Sequence, residues 1–370
     1  MTKHIVIDAR TRPSSTGRYI DRVLEHLQSI DNTNKYTVLL RPSDNWKSKN
    51  RNFKSLVCKY KQFSFNPIDQ ISFARFLYKL NADLIHFGMT PQEPVFYFKK
   101  RITTLHDLTM LRFARPGKLP KILHFVRMLG YRMLLKSSVR MAKAVIVPTE
   151  FVKEDVVKYV PTNARKVFVT YEASEPLISQ TEKLVDGVSA PFILYVGSAF
   201  PHKNLESLVS ALEKMRQNNP EISLVLAGKK EQYYKKLESW TGKNPALKNK
   251  VIFSGFVDDA ELKWLYEHAE AYIFPSLSEG FGLPGLEAMV HGCPVVSSNA
   301  TCLPEVYGDA AHYFDPTNIE DMAEKISEVL SDKKLRDNLI KKGYKQAAKY
   351  SWQKTAQQTL DVYKKVLEKD

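Results

Sequence analysis

Apolar residues along this 370-residue chain fall into short continuous runs, separated by stretches with helical spacing. KHIVID is such a run, ending at Asp8. GRYIDRVLEHLQ follows it, with Ile20, Val23, Leu24 and Leu27 on one face of a 3.6-residue period. YTVLL, ADLIHF, RITTLHD, AVIVPT and KVFVTY read as further strands, and Thr149 stands where an N-cap belongs before the helical pattern FVKEDVVKYV. Continuous apolar runs alternating with helices predict buried parallel strands rather than hairpins. The polar, irregular stretch SEPLISQTEKLVDGVSAP breaks the rhythm and ends at Pro191. The rhythm then restarts with the strand PFILYVG and the helix NLESLVSALEKM, whose Leu205, Leu208, Leu212 and Met215 share a face. ISLVLAG, VIFSGF, AYIFPS and CPVVSS read as strands with helices between them, and two helical patterns close the chain at 332–349 and 352–368. The expected fold class is therefore α/β, as two Rossmann-like domains over residues 1–175 and 190–350. In such sheets ligands bind beyond the carboxyl ends of the strands, so the informative residues should follow strands directly.

Composition narrows the class. At 44% hydrophobic the chain can bury a sizeable core, and no stretch approaches the roughly 18–20 apolar residues that a membrane span needs. MTKHIVIDAR runs straight into a strand pattern without a secretory apolar region. Cys58, Cys293 and Cys302 have neither metal-type spacing nor an even framework, so a reducing cytoplasm is the expected compartment. The net charge of +15 is uneven: residues 1–185 hold 32 Lys+Arg against 15 Asp+Glu, or +17, and residues 186–370 hold 23 against 25, or −2. A basic half points to a nucleic acid or an anionic membrane, unless it is simply a lysine-rich soluble surface. No recognisable RNA- or DNA-binding motif occurs in it, so no nucleic-acid partner is expected.

Candidate chemistry sits after strands. SEGFGLPGLE holds Glu279 and Glu287 on either side of a stretch in which Gly280 and Gly282 permit close backbone approach. Pro284 suits a first helical turn, so a helix should begin near Leu283 and end at Gly292. Its free amides and positive dipole would attract a phosphate, and a carboxylate suits the vicinal hydroxyls of a ribose or hexose. Ordinary acidic residues at a helix start are the plainer reading. In GSAFPHKN, Lys203 could meet a phosphate as a point charge, with His202 as a second donor, although a single lysine near a helix start is more often just solvated. His106 and Asp107 follow RITTL, and Gly17 stands at another helix start, RTRPSSTGRYI; a lone histidine there is more often structural.

SEGFGLPGLEAMVHGCPVV resembles the Glu-x7-Glu region of retaining glycosyltransferase family 4, and GSAFPHKNLESLV, SGFVDDAELKWLYEHAEAYIFPS, LPEVYGDAAHYFDP and SWQKTAQQTL match that family in kind and order. The resemblance implies a GT-B fold: two Rossmann-like domains facing a central cleft, with a C-terminal helix, 352–370, crossing back to the N-domain. It implies a nucleotide-sugar donor held by the C-terminal domain. Glu287 would then bind the ribose, Glu279 the donor sugar, and Gly282 and Leu283 the phosphates through backbone amides, with Gly280 and Phe281 in the same donor-binding loop. Lys203 would stabilise the leaving diphosphate, Phe256 and Val257 would lie in the base region, and His106 would approach the donor sugar. Many relatives carry VGR where this chain has VGS, so Ser198 stands in place of a cation that His202 could supply.

The implied reaction is hexosyl transfer with retention, by same-face attack, to a hydroxyl of a glycan or lipid-linked glycan. It needs no cofactor and no metal, and no aspartate dyad for one stands out. GDP-mannose is the first expected donor and UDP-hexoses the second, since TLHDLTML and VPTEF look closest to bacterial mannosyl- and related transferases of surface-polysaccharide assembly. A glycoside hydrolase would not need the anion-binding loop, whereas a nucleotide-sugar 2-epimerase shares the fold and remains an alternative, as does a non-enzymatic nucleic-acid binder. Finally, residues 108–149 contain no Asp or Glu, while Arg112, Arg115, Lys118, Lys121, Arg127, Arg132, Lys136, Arg140 and Lys143 are interleaved with Ile122, Leu123, Phe125, Val126, Met128, Leu129, Met133, Leu134 and Leu135. This reads as a basic amphipathic surface segment for the inner face of an anionic membrane, or as a helix whose apolar side packs on the sheet.

Overall fold

The computed structural model describes residues 1–12, 17–62, 64–113, 120–177, 183–216 and 219–368. Two compact units emerge, Met1–Glu172 with Trp352–Asp370, and Ala173–Ser351, so residues 173–189 go with the second unit.

The first unit is a seven-stranded parallel sheet of β1 (His4–Asp8), β2 (Lys35–Leu40), β3 (Phe53–Val57), β4 (Leu84–Phe87), β5 (Arg101–Thr104), β6 (Ala144–Val147) and β7 (Val167–Val169), in the order β3-β2-β1-β4-β5-β6-β7. Val6 pairs with Thr37 on one side and Ile85 on the other, so the strand order reverses between β1 and β4. Every residue of β4, β5 and β6 is buried, which is why those runs are short and unpatterned. The helices are α1 (Arg18–Ile30), α2 (Pro67–Lys79), α3 (Thr109–Arg112), α4 (Lys121–Met141) and α5 (Glu150–Tyr159). As the pattern predicts, Thr149 caps α5, its hydroxyl accepting from the Val152 amide at 3.2 Å.

The second unit is a six-stranded parallel sheet, β10-β9-β8-β11-β12-β13, built from β8 (Phe192–Val196), β9 (Ser223–Ala227), β10 (Val251–Gly255), β11 (Ala271–Phe274), β12 (Val295–Ser298) and β13 (Ala311–Phe314). Its helices are α6 (Leu205–Met215), α7 (Gln232–Thr241), α8 (Asp259–His268), α9 (Leu283–Val290), α10 (Leu303–Tyr307), α11 (Ile319–Ser331) and α12 (Lys333–Ala347). The reversal here lies between β8 and β11, the position where open sheets of this kind bind ligands.

The last helix, α13 (Trp352–Glu368), returns to the first unit and packs along α1. Its Thr355 hydroxyl donates to the Tyr171 carbonyl at 2.5 Å, and its Tyr363 hydroxyl lies 2.6 Å from Nδ1 of the fully buried His86. Both units are thus α/β with parallel sheets, as the run pattern predicts. Among the described residues, no helix is long and apolar enough to cross a membrane.

Candidate functional site

In the second unit the chemistry gathers at the β8/β11 reversal. After β11 the chain enters α9 through Gly282, whose φ of 98° lies in the left-handed region. A Cβ at Gly282 would come within 2.5 Å of the Tyr307 hydroxyl, and one at Gly285 within 2.3 Å of the same oxygen. Tyr307 donates to the Gly282 carbonyl at 2.5 Å, so the GLPG pattern is the shape that lets a buried tyrosine brace the start of α9. Pro284 stands in the first turn, where its missing N–H costs nothing. The helix ends at Val290, two residues before the expected Gly292.

The two glutamates have different settings. Glu279, in the loop, has its amide held by the Thr301 hydroxyl at 3.1 Å, and its Oε1 lies 2.6 Å from Lys203 Nζ. Both side chains keep some exposure, 13% for Glu279 and 17% for Lys203. The lysine is also 5.6 Å from the centre of the Phe274 ring on β11. Glu287, inside α9, is 6% exposed and accepts from the buried Tyr266 hydroxyl of α8 at 3.2 Å. Phe281 is buried and meets Tyr350 edge-on.

Lys203 ends a short 3-10 turn, Pro201–Lys203, after β8. His202 is only 4% exposed; its ring stacks on Phe200 and its carbonyl accepts from the Leu277 amide at 2.7 Å, which ties the β8 loop to the β11 loop. Ser198, at the VGS position, accepts from the Tyr195 hydroxyl through its carbonyl at 2.7 Å. Phe256, just past β10, is 73% exposed, with Lys229 Nζ 5.9 Å from its ring centre, and Val257 is half-buried beside it. An exposed ring beside a cation suits a flat, electron-rich partner.

The first unit carries His106 and Gly17. His106 follows β5; its Nδ1 lies 3.1 Å from Glu172 Oε1 and its Nε2 3.3 Å from the Gly88 carbonyl. Burial is the largest single influence and disfavours its charge, but the Glu172 carboxylate, the Gly88 carbonyl and Asp107 together raise its pKa. Tyr19 meets the ring edge-on at 5.0 Å. Gly17 caps α1 against the Thr11 backbone, where a Cβ would lie 2.5 Å from the carbonyl oxygen; the preceding residues 13–16 lie outside the described residues.

On α4 the expected alternative is settled against packing for one face. Met128, Leu135 and Val139 turn into the core. Ile122, Phe125, Val126, Leu129 and Met133 lie on the other side, 49–79% exposed. Phe65, before α2, lies against Gly130, and Ile68 and Ile71 of α2 are also exposed. Arg127 and Arg132 are exposed beside the stripe, while Arg115 and Lys118 lie outside the described residues. Among the described residues, no group of three or more His, Cys, Asp or Glu could hold a metal ion.

Lys203, Glu279, the α9 entry and Glu287 therefore come together in one unit, and His106 and Gly17 in the other. Tyr266, Thr301 and Tyr307, which orient them, escaped the sequence reading because each is distant in sequence from the residue it holds. Glu172 was findable: it directly follows the strand KVFVTY, as His106 follows RITTL.

Comparison with known proteins bears on this geometry. Residues 180–346 match the family described as Glycosyl transferases group 1. O-antigen chain mannosyltransferase B of Escherichia coli is 29% identical over 303 residues, covering 76% of this chain and 74% of that protein. The serotype-specific mannosyltransferase WbdA of Escherichia coli is 33% identical over 194 residues, which is 50% of this chain but only 23% of WbdA. Among solved structures, sucrose-phosphate synthase from Thermosynechococcus elongatus superposes with a TM-score of 0.76 at 18% identity, covering 98% of both chains, a likeness of fold. The two parallel-sheet units are those of the GT-B glycosyltransferases.

Proposed function

We propose, on the premise that the chain is a glycosyltransferase with a group 1 domain at residues 180–346, that it moves mannose from GDP-mannose, with retention, to a hydroxyl of a growing surface polysaccharide or lipid-linked glycan. The observation that carries this reading is the Lys203–Glu279 pair, 2.6 Å apart beside the entry of α9 at the strand-order reversal. There a cation, a carboxylate and a helix N-terminus converge on a space that suits a sugar diphosphate. Glu279 takes sugar hydroxyls and Lys203 turns to the phosphate. Gly280, Phe281, Gly282 and Leu283 offer backbone amides, with His202 as a second donor. Glu287 takes the ribose diol, and Phe256 with Val257 receives the base.

Breaking the anomeric C–O bond builds charge on the departing diphosphate, and preorganised donors stabilise that charge more than they stabilise the bound donor. One charge-assisted hydrogen bond is worth about 1.5–3 kcal/mol, or roughly one to two decades in rate. In same-face attack the departing diphosphate takes the acceptor's proton, and with Lys203 and the loop amides meeting its charge no metal is needed. The mannosyl donor is supported by relatives whose names say mannosyltransferase. An anionic membrane surface is the proposed place of work, on the cytoplasmic side, through α4. Calorimetric titration in excess chelator with GDP-mannose, UDP-glucose and ADP-glucose tests the donor. We expect GDP-mannose to bind at least about tenfold more tightly than the others. Binding of none of them, or binding that returns only with magnesium, overturns the reading.

A further inference from the structure

We infer that Glu172 is a positioning residue that commits both ring nitrogens of His106 to donation, so that His106 acts as a fixed cation and not as a proton acceptor. Three loops at the carboxyl edge of the first sheet make the arrangement. His106 follows β5, Gly88 follows β4 and Glu172 follows β7. Nδ1 faces the Glu172 carboxylate at 3.1 Å and Nε2 faces the Gly88 carbonyl at 3.3 Å. The Gly88 carbonyl can only accept, and so can Glu172 as a carboxylate. A neutral imidazole has one N–H and one lone pair, so either tautomer would turn a lone pair onto an oxygen; the imidazolium satisfies both contacts. Glu172 is 6% exposed, and a buried carboxylate without a cation is costly. Each group therefore supports the other's charge.

The remaining neighbours agree with this assignment. His86 of β4 is fully buried between the hydroxyls of Tyr363 and Thr104 and is kept neutral by burial and by the charge of His106. Asp107 adds negative charge beside His106, with its Oδ1 already accepting from the Thr109 amide at 2.7 Å. Tyr19 of α1 presents its ring to His106, and burial raises its phenol, so it stays neutral. Glu172 is thus the main support of the His106 cation against burial, with Gly88 and Asp107 adding to it. A histidine held in this way cannot deprotonate an acceptor hydroxyl. That agrees with the departing phosphate as the proton's destination, and in this step alone the inference rests on the proposed sugar transfer.

The test uses the full chain with isotope-labelled histidine. The chain has nine histidines, and the His106 signal is the one lost in His106→Gln. The expected result is an imidazolium signal at neutral pH that titrates above the ordinary histidine value. Glu172→Gln keeps an acceptor oxygen but loses the charge, so it should move the midpoint down, and Glu172→Asp should restore part of the shift. The alkaline limb of kcat should move to lower pH with the same variants, whereas a merely structural loss would lower kcat at every pH. A neutral His106 at pH 7 in the wild type, or a midpoint unchanged in Glu172→Gln, overturns the inference. The wild-type titration decides even where a variant fails to fold. The nuclear resonance result also stands whether or not any nucleotide sugar is turned over, so failure of the donor reading is seen separately.

Discussion

At the scale of single residues, the two glutamates of SEGFGLPGLE separate by burial. Glu287 is nearly buried and held by Tyr266, so in the proposed reading it is a preset acceptor for the ribose diol, made before and during reaction alike. Glu287→Ala should therefore weaken nucleotide-sugar binding by about 10- to 100-fold, the worth of one charged hydrogen bond or more, with little change in the thermal midpoint. Tyr266→Phe should cost less than about tenfold, because it only loosens the carboxylate. Calorimetry reads both, and wild-type affinity in Glu287→Ala would end the ribose assignment. Lys203 differs because, in the proposed reading, it leaves Glu279, 2.6 Å away here, for the phosphate of a bound donor. Lys203→Ala should lower kcat by about 10- to 100-fold and affinity by less, since the phosphate charge peaks as the bond breaks. A raised KM with unchanged kcat would contradict that role. His202→Ala should lose less, given that its ring is stacked and buried. The candidate residues were legible in the sequence because Lys203, Glu279 and His106 lie in loops after apolar runs and Glu287 in the helix that follows one. Their holders were not, because Thr301 lies 22 positions from Glu279 and Tyr266 lies 21 from Glu287. Only the fold closes those distances.

Among the elements, legibility followed burial. The buried strands of both sheets show as apolar runs, yet β3 was missed because it is an edge strand, FKSLV, with Lys54 and Ser55 turned outward. β13, AHYF, escaped for the same reason, its middle residues only half-buried at the other sheet's edge. α2 gave little signal because Ile68 and Ile71 face solvent, so its apolar residues do not form one stripe. α4 repeats that disorder of pattern with a consequence. Its core face needs only Met128, Leu135, Ser138 and Val139, and the apolar residues left over form a second, exposed face. Burying such residues in the headgroup boundary is favourable by about 25 cal/mol per Å² of apolar area, and each nearby basic residue adds about 1 kcal/mol on an anionic leaflet. The protein should therefore pellet with vesicles containing anionic lipid, less so as salt rises. Ile122, Phe125 and Leu129 replaced together by Ser should abolish pelleting at any salt, and Arg127, Arg132 and Lys136 replaced by Glu should abolish the preference for anionic vesicles. The apolar set lies off the core face, and because Lys136 sits 5.2 Å over the Tyr159 ring, circular dichroism of the charge-reversed variant checks that the fold survives. Equal pelleting with neutral and anionic vesicles would refute the membrane role of α4.

For the molecule as a whole, the fold brings the chain's last segment back to its first unit, and His86 is where that return is fastened. Its Nδ1 meets Tyr363 of α13 at 2.6 Å and its Nε2 meets Thr104 of β5 at 2.8 Å, with no exposure to water. The apolar period of α13 was visible in the sequence, but nothing local could show that a histidine 277 positions away would receive its tyrosine. Burial, with a smaller push from His106, lowers the His86 pKa from 6.5 to about 3. The unfolded chain then binds a proton below pH 6.5 that the folded chain refuses until about pH 3. Stability from this site is complete above pH 6.5 and falls as pH drops through that window, by roughly 1 kcal/mol per pH unit. His106 works in the opposite sense: its raised pKa gives stability that is fully present below the ordinary histidine value and lost as pH rises through the folded one. The two are therefore separable by substitution. His86→Gln can keep polar contacts to both hydroxyls without taking up a proton, so it should lower the urea midpoint at pH 7 yet lose less between pH 7 and pH 5 than the wild type does. His106→Gln should show the reverse, with a steeper fall into acid. Parallel pH dependence in the wild type and His86→Gln would mean that acid acts elsewhere, and that the His86–Tyr363 fastening is not the acid-sensitive joint of the first unit.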